Sequence, residues 1–275
     1  MSPTPQASFE PEPGKIFWRR RRPCPELAGK VTDLVGYQEN GQHLTGSVEM
    51  ASLVVPLVIS FGGPFAIALG RKPQPDENYA SFTAGLYPGH VLIDSSGDSA
   101  CVQVNFTPLG AYRFFGLPMR ELSNRMVALD DLADREIAVL RRRLEDAADW
   151  DVRLNLTEAF VLDRLRRGPA MSPAVASAYR ELAFCHGNVR IAAIAGRLEW
   201  SRKHLSLRFQ DEIGLPPKAI ARILRFNRLL DLAKVSAEPG WADLAAECGY
   251  ADQAHLTREF SEFAGTSPAR WQAAA

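Results

Sequence analysis

Two stretches near the C-terminus, residues 191–217 and 241–268, are versions of one unit, and this duplication constrains the fold more than anything else in the chain. Side by side, IAAIAGRLEWSRKHLSLRFQDEIGLPP and WADLAAECGYADQAHLTREFSEFAGTSP agree at Ala192/Ala242, Ala195/Ala245, His204/His255, Leu205/Leu256, Phe209/Phe260, Gly214/Gly265 and Pro217/Pro268. The offset is 50 residues before the turn and 51 after it, so one inserted residue falls in the loop of the second copy.

Both copies obey one physical grammar. An Ala-rich amphipathic helix (191–197, 241–247) can approach a neighbour closely, because Ala adds no bulk at the contact. A turn follows, for which Gly249 supplies a positive-φ residue in the second copy, whereas Glu199 in the first is a weaker signal. Ser201 or Asp252 then caps a second helix, and Leu205 with Phe209, or Leu256 with Phe260, stand four apart on its inner side. Gly214 or Gly265 closes it. One such unit alone fits a packed helical hairpin as well as a helix-turn-helix that inserts its second helix into the major groove. Two in tandem, joined by a helix-like segment from Lys218 to Lys234 that bears Arg222, Arg225 and Arg228, favour the second reading.

The segments IAAIAGRLEWSRKHLSLRF, the Gly214-x-x-Pro217 closure, RILRFNRLLDLA, CGYADQAHLTREF and AGTSPARW resemble the AraC/XylS family of transcription regulators over residues 187–271. The resemblance implies a C-terminal all-α domain in which two helix-turn-helix units, joined by a connecting helix, read double-stranded DNA.

At 275 residues the chain has room for about two domains, and 46% hydrophobic with 23% charged residues is the composition of a globular protein. No apolar run is long enough to span a membrane, and MSPTPQASFEPEPGK lacks the basic-then-apolar layout of a signal peptide, so the expected compartment is the cytoplasm. Cys24, Cys101, Cys185 and Cys248 are widely separated, which argues against a zinc site or a disulfide framework. Cys101 on a strand reads as a buried inert thiol and Cys185 as the better redox-sensor candidate. Formal charge totals zero but is unevenly distributed: residues 190–234 hold ten Lys/Arg against four Asp/Glu, and residues 235–275 two against six. If DNA is the partner, the first unit and the connecting helix are expected to supply most of the phosphate attraction.

Residues 1–14, rich in Pro and Ser/Thr, are expected to be disordered. FWRRRRP (17–23) reads either as a solvated basic run or as an anion-binding one. From Glu26 to Pro108 short apolar or alternating runs at 51–61, 64–70, 80–87, 90–96 and 100–106, punctuated by Gly, Pro and Ser, predict a small β-barrel. This part is similar to the cupin-like sensing domains that precede AraC-type readers, which implies a small-molecule effector. Phe61, Phe65, Phe82, Tyr87 and Phe106 are candidates to line its cavity. His43 and His90 stand far apart with no His-x-His pair, so neither a metal, a cofactor nor catalysis is expected there.

From Leu109 the pattern turns helical, with 129–147 and 153–167 as helices flanking the barrel. In the resembled family such helices make a homodimer contact; packing against the barrel explains them equally well. The overall expectation is an α+β chain with a sensing and dimerisation domain at 15–168, a boundary at Arg167-Gly168-Pro169, and a reader at 169–275 that opens with a helix at 172–184. Asn188 is the candidate cap of the next helix.

Burying Leu205 and Phe209 turns Arg202, Lys203, Ser206, Leu207 and Gln210 outward. The resemblance assigns base contacts to Lys203, Ser206 and Leu207, although a polar or basic residue is usual at the last position and Leu207 offers only a methyl contact to thymine. On the second helix Gln253 can pair two-fold with adenine and Arg258 with guanine, Ala254 and Thr257 share that face, and His255 lies near the backbone. Arg202, His255 and Arg225 are the candidate phosphate contacts. The resemblance implies RNA polymerase as a further partner. The rival readings are a helical protein-interaction module and a DNA-repair enzyme fused to an AraC-like reader; the second would need an activated cysteine nucleophile.

Overall fold

The computed structural model describes residues 15–235 and 240–274, so the expectation for residues 1–14 lies outside the described residues. Short apolar runs between Gly, Pro and Ser clusters give the strands β1 (Phe17–Arg21), β2 (Val31–Gln38), β3 (Ser47–Glu49), β4 (Val55–Ser60), β5 (Phe65–Leu69), β6 (Asn78–Tyr79), β7 (Phe82–Ala84), β8 (Val91–Ser95) and β9 (Ala100–Phe106). Then come α1 (Pro108–Phe115), β10 (Met126–Ala128), α2 (Arg135–Glu145), α3 (Trp150–Arg167), α4 (Pro173–Phe184), α5 (Ile191–Arg197), α6 (Arg202–Glu212), α7 (Pro217–Lys234), α8 (Trp241–Glu247), α9 (Gln253–Ala264) and α10 (Pro268–Ala273). The result is a sheet-rich N-terminal region followed by a helical C-terminal one.

The strands divide between a six-stranded sheet, ordered β1-β2-β9-β4-β7-β10, and a four-stranded sheet, ordered β3-β8-β5-β6. They do not close into one barrel as the run spacing predicted. Two of the places where the chain changes sheets are sharp corners, Phe61–Pro64 after β4 and Ser96–Ser99 after β8, held together by Gly62 N–H and Gly63 N–H donating to the carbonyls of Ala100 and Asp98 at 3.1 Å each. A corner that switches sheets gives the double-sheet, jelly-roll form of a cupin-like fold.

Alternation along the strands places the two cores. In β9, Val102, Val104 and Phe106 face one side and join the main core, while Cys101 faces the other and packs with Tyr37, Val58, Phe65, Ile67 and Phe82 between the sheets. Helices α1, α2 and α3 cover the first side through contacts to β9, β4 and β2. Phe106 therefore belongs to the core under the helices, and Phe61 lies against Trp150; neither lines the space between the sheets.

Between the sheets the structure leaves a cavity of about 280 Å³, lined among others by Val58, Ile67, Phe82, Tyr87, Gln103 and Asn105. Burial pushes the Cys101 thiol up to about 12, so it stays protonated and is not a thiolate sensor.

Glu39, 4% exposed, ties the second corner down. Its carboxylate accepts from the Tyr37 and Ser95 hydroxyls and from the amides of Gly97 at 2.8 Å and Ser99 at 3.0 Å. Burial alone would raise its pKa, but these four donors outweigh that and hold it below the ordinary 4.5. A depressed folded-state pKa contributes stability that is present above the unfolded value and is lost as pH falls through the folded one. Glu39→Gln is thus expected to cost about 2 kcal/mol at neutral pH. In urea titrations at several pH values, the gap between variant and parent should narrow only below the unfolded carboxylate range; a gap independent of pH would refute the assignment.

Arg19, Arg20 and Arg21 of the arginine run lie on β1, an edge strand, and each has an acidic partner. Arg19 and Arg21 reach Asp151 on α3 at 2.7 and 2.8 Å, and Arg20 pairs with Asp33 at 3.1 Å. These pairs fasten the edge to the flanking helix and to β2, in place of the anion-binding alternative. The helix expected at 129–147 is divided by Ala133 at φ 50, after which Asp134 caps α2 through the amides of Glu136 and Ile137. α4 starts at Pro173 behind the cap Ser172. Asn188 is not a cap: α5 begins after Arg190, which offers no side-chain bond.

Candidate nucleic-acid interface

Across the turn the two units have one backbone geometry, hydrogen bond for hydrogen bond. At the end of the first helix, Trp200 N–H reaches the Ala195 carbonyl at 2.9 Å and Tyr250 N–H reaches that of Ala245 at 2.8 Å, each wrapping one left-handed residue. That residue is Glu199 at φ 55 in one copy and Gly249 at φ 77 in the other. The turn geometry is therefore kept even where the side chain opposes it. Ser201 Oγ and Asp252 Oδ1 then cap α6 and α9 by accepting from His204 N–H at 3.1 Å and His255 N–H at 2.6 Å. The cap moves from 50 to 51 residues of offset because Ala251 is the inserted residue.

Leu205, Phe209, Leu256 and Phe260 are fully buried. On α6, Arg202 and Lys203 are exposed, Leu207 is 50% exposed, and Ser206 and Gln210 are half-buried. On α9, Gln253, Ala254 and Arg258 are exposed and Thr257 is half-buried, its hydroxyl donating to the Gln253 carbonyl at 2.9 Å. Gln253, Ala254, Thr257 and Arg258 together line one shallow hollow. His255 is half-buried between the Tyr250 ring, 5.3 Å between centroids, and Glu259, 3.8 Å away.

Charge is where geometry departs most from the residue count. Among the described residues, Arg202, Lys203 and Arg258 enter no ion pair and no side-chain hydrogen bond. The arginines of α7 are engaged inside the protein instead. Arg222 bonds Glu259 at 2.7 Å and Glu262 at 2.5 Å, and Arg228 lies 3.6 Å from Glu247. Arg225, expected at a phosphate, is half-buried over the Tyr250 ring at 5.7 Å, with a 3.5 Å bond to the Gly187 carbonyl. The connecting helix thus offers less free positive charge than the ten-to-four balance implied. Lys218, which that balance did not single out, is exposed and shares a second hollow with Arg258, between α7 and α9.

Two cations in the first turn of α6 oppose the helix dipole. No acidic residue offsets them there. Arg202 and Lys203 together with the free amides of that turn form a surface suited to an anion. On α9 the apolar side is packed, and the open side carries one amide and one guanidinium, the two groups able to make paired hydrogen bonds to base edges.

Residues 194–274 match the helix-turn-helix domain family. No curated protein matches the chain. Among solved structures, it is similar to ToxT from Vibrio cholerae O395, at 13% identity with a TM-score of 0.43, covering 94% of this chain and 96% of that one. ToxT bound to (E)-4-(8-methylnaphthalen-1-yl)but-3-enoic acid gives 13% identity and a TM-score of 0.41 over 94% and 97% of the two chains. The AraC-like transcriptional activator CuxR gives 15%, a TM-score of 0.25, and coverage of 79% and 95%. Likeness at this level says nothing of what this chain binds. The repeated turn geometry and the family match agree, and the C-terminal region of this chain is a helix-turn-helix domain.

Proposed function

We propose that the chain is a sequence-specific DNA-binding transcription regulator, divided at 168/169 into a sensing region and a reader, with a small-molecule effector held between the two sheets. The observation that carries the reading is the unpaired, exposed state of Lys203 and Arg258 on the second helices of two matching helix-turn-helix units, while Arg222 and Arg228 of the connecting helix are engaged by acidic residues. Lys203 and Arg258 are the base readers of this proposal, aided by Gln253 and by a methyl contact from Leu207; Ser206, Ala254 and Thr257 lie along the same faces. Arg202 holds phosphate, Lys218 is added to it, and the stacked Arg225 serves as a support for the second turn. Two such helices in successive major grooves need a separation of about one DNA turn, roughly 34 Å.

The test starts by selecting bound DNA from random sequence. Lys203→Ala and Arg258→Ala are each expected to lose about 1–3 kcal/mol on the selected site and to relax preference at one base position. Arg202→Ala should weaken all sequences alike and flatten the salt dependence by about one phosphate contact. Equal losses on every DNA for Arg258→Ala would remove it as a reader. Failure of the folded chain to select any DNA would favour the protein-interaction reading.

A further inference from the structure

Both reading helices end against the sheet region, and they do so at equivalent places. The glycine closing the first unit, Gly214, is buried on the turn at 119–123: a Cβ there would lie 2.5 Å from Ser123 Oγ and 3.5 Å from Met119 Cβ. Asp211, just before it, pairs with Arg120. The glycine closing the second unit, Gly265, lies on His90, where a Cβ would come within 2.8 Å of the imidazole Cδ2. The last carbonyls of α9 are taken by the same region, Phe263 by the amide of Ala51 at 2.9 Å and Glu262 by His90 Nδ1 at 3.2 Å. Carbonyls at a helix end otherwise lack partners.

What lies behind these two contacts is the same hollow. Ala51 lines the inter-sheet cavity, as do Gly89 and Val91 on either side of His90. Gly85 lines it too, and its amide donates to Leu122 in the 119–123 turn at 3.1 Å. The second grip therefore includes a wall residue, Ala51, and the first reaches the wall through the bond between Leu122 and Gly85. A molecule that fits the cavity brings its walls denser packing contacts than water does.

We propose that the sheet region is a two-point clamp: it grips each helix-turn-helix unit at its closing glycine, and a small molecule seated in the inter-sheet cavity tightens both grips together. Gripping both units sets how far apart and at what angle α6 and α9 meet DNA, and an effector acts by binding the gripped state more tightly than the released one. This deepens the regulator reading given above and rests on it for its purpose, but not for its test.

The test is amide hydrogen exchange of the full chain, followed by mass spectrometry, with single variants at each grip. Arg120→Asp is expected to speed exchange about tenfold at 211–215 and also at the distant 261–265, and His90→Ala to do the same in the opposite order. Ala84→Leu, which adds bulk to a residue lining the cavity, stands in for a bound molecule and should slow exchange at both places. Val58→Ile is the milder substitute if Ala84→Leu does not fold. Acceleration confined to the grip that was altered, or a filled cavity that slows neither, would overturn the clamp. No DNA enters this measurement, so a chain that bound none would sink the regulator reading while leaving the clamp to be judged by exchange alone.

Discussion

Arg222→Ala is expected to destabilise the protein by about 3–5 kcal/mol, the penalty for leaving a buried carboxylate without its counter-charge. Glu259 is 3% exposed, and its bond to Arg222 Nε is the strong one it makes; Oε1 of the same carboxylate has no partner among the described residues. The guanidinium is built into place, stacked 4.8 Å over the Phe263 ring and bonded to Glu262 as well. Burial disfavours its charge, but the bonds to Glu262 and Glu259 outweigh that and hold its pKa above the ordinary value. Removing the guanidinium leaves His255, 3.8 Å away, as the nearest candidate cation. Glu259→Gln should cost less, because the buried carboxylate charge is removed and Arg222 keeps its bond to the exposed Glu262. Equilibrium urea unfolding at neutral pH decides the matter: a loss below about 1 kcal/mol for Arg222→Ala would mean that Glu259 finds solvent and that the pair is ornamental. DNA affinity should fall with stability in these variants, since the pair fixes the open face of α9 relative to α7.

Phe260→Ala should cost about 3–5 kcal/mol through the cavity it leaves. The side chain is fully buried, and its ring meets those of Phe226, Trp241 and Trp271 at 5.4, 5.8 and 5.8 Å, mostly edge to face. No single neighbour can move into the space without opening another, because α7, α8, α9 and α10 all meet there. Phe260→Leu keeps most of the volume and should cost less than half as much. Denaturant midpoints give the energy, and near-ultraviolet circular dichroism of Trp241 and Trp271 reports whether the second unit has lost fixed packing. An alanine variant as stable as its parent would mean that this cluster is not the centre of the unit.

The reader was legible in the residues to an unusual degree, for a local reason. Caps, turn residues and apolar spacing act within five residues of one another, so Ser201, Asp252, Gly249 and the Leu/Phe pairs announce their helices without any distant partner. Repetition then multiplied a weak signal. The sheet region was legible only in part. Strands with near-continuous apolar runs stood out, whereas β1 and β2 did not, since one carries consecutive arginines and the other Asp33 and Gly36. Their stability comes from partners more than sixty residues away, such as Asn105 for Asp33 and Asp151 for Arg19 and Arg21.

The order of residues alone determined the duplicated unit, its cap and turn positions, and which side chains of α6 and α9 turn outward, because helical periodicity leaves little choice once the inner face is apolar. Tertiary structure decided the rest. It split the strands into two sheets around a cavity, spent Arg222 and Arg228 of α7 on acidic partners of α9 and α8, and seated both closing glycines on the sheet region. The physical reason is that a charge count sums residues, while free charge depends on which opposite groups the fold brings within about 4 Å. Nothing in a linear pattern shows that distance.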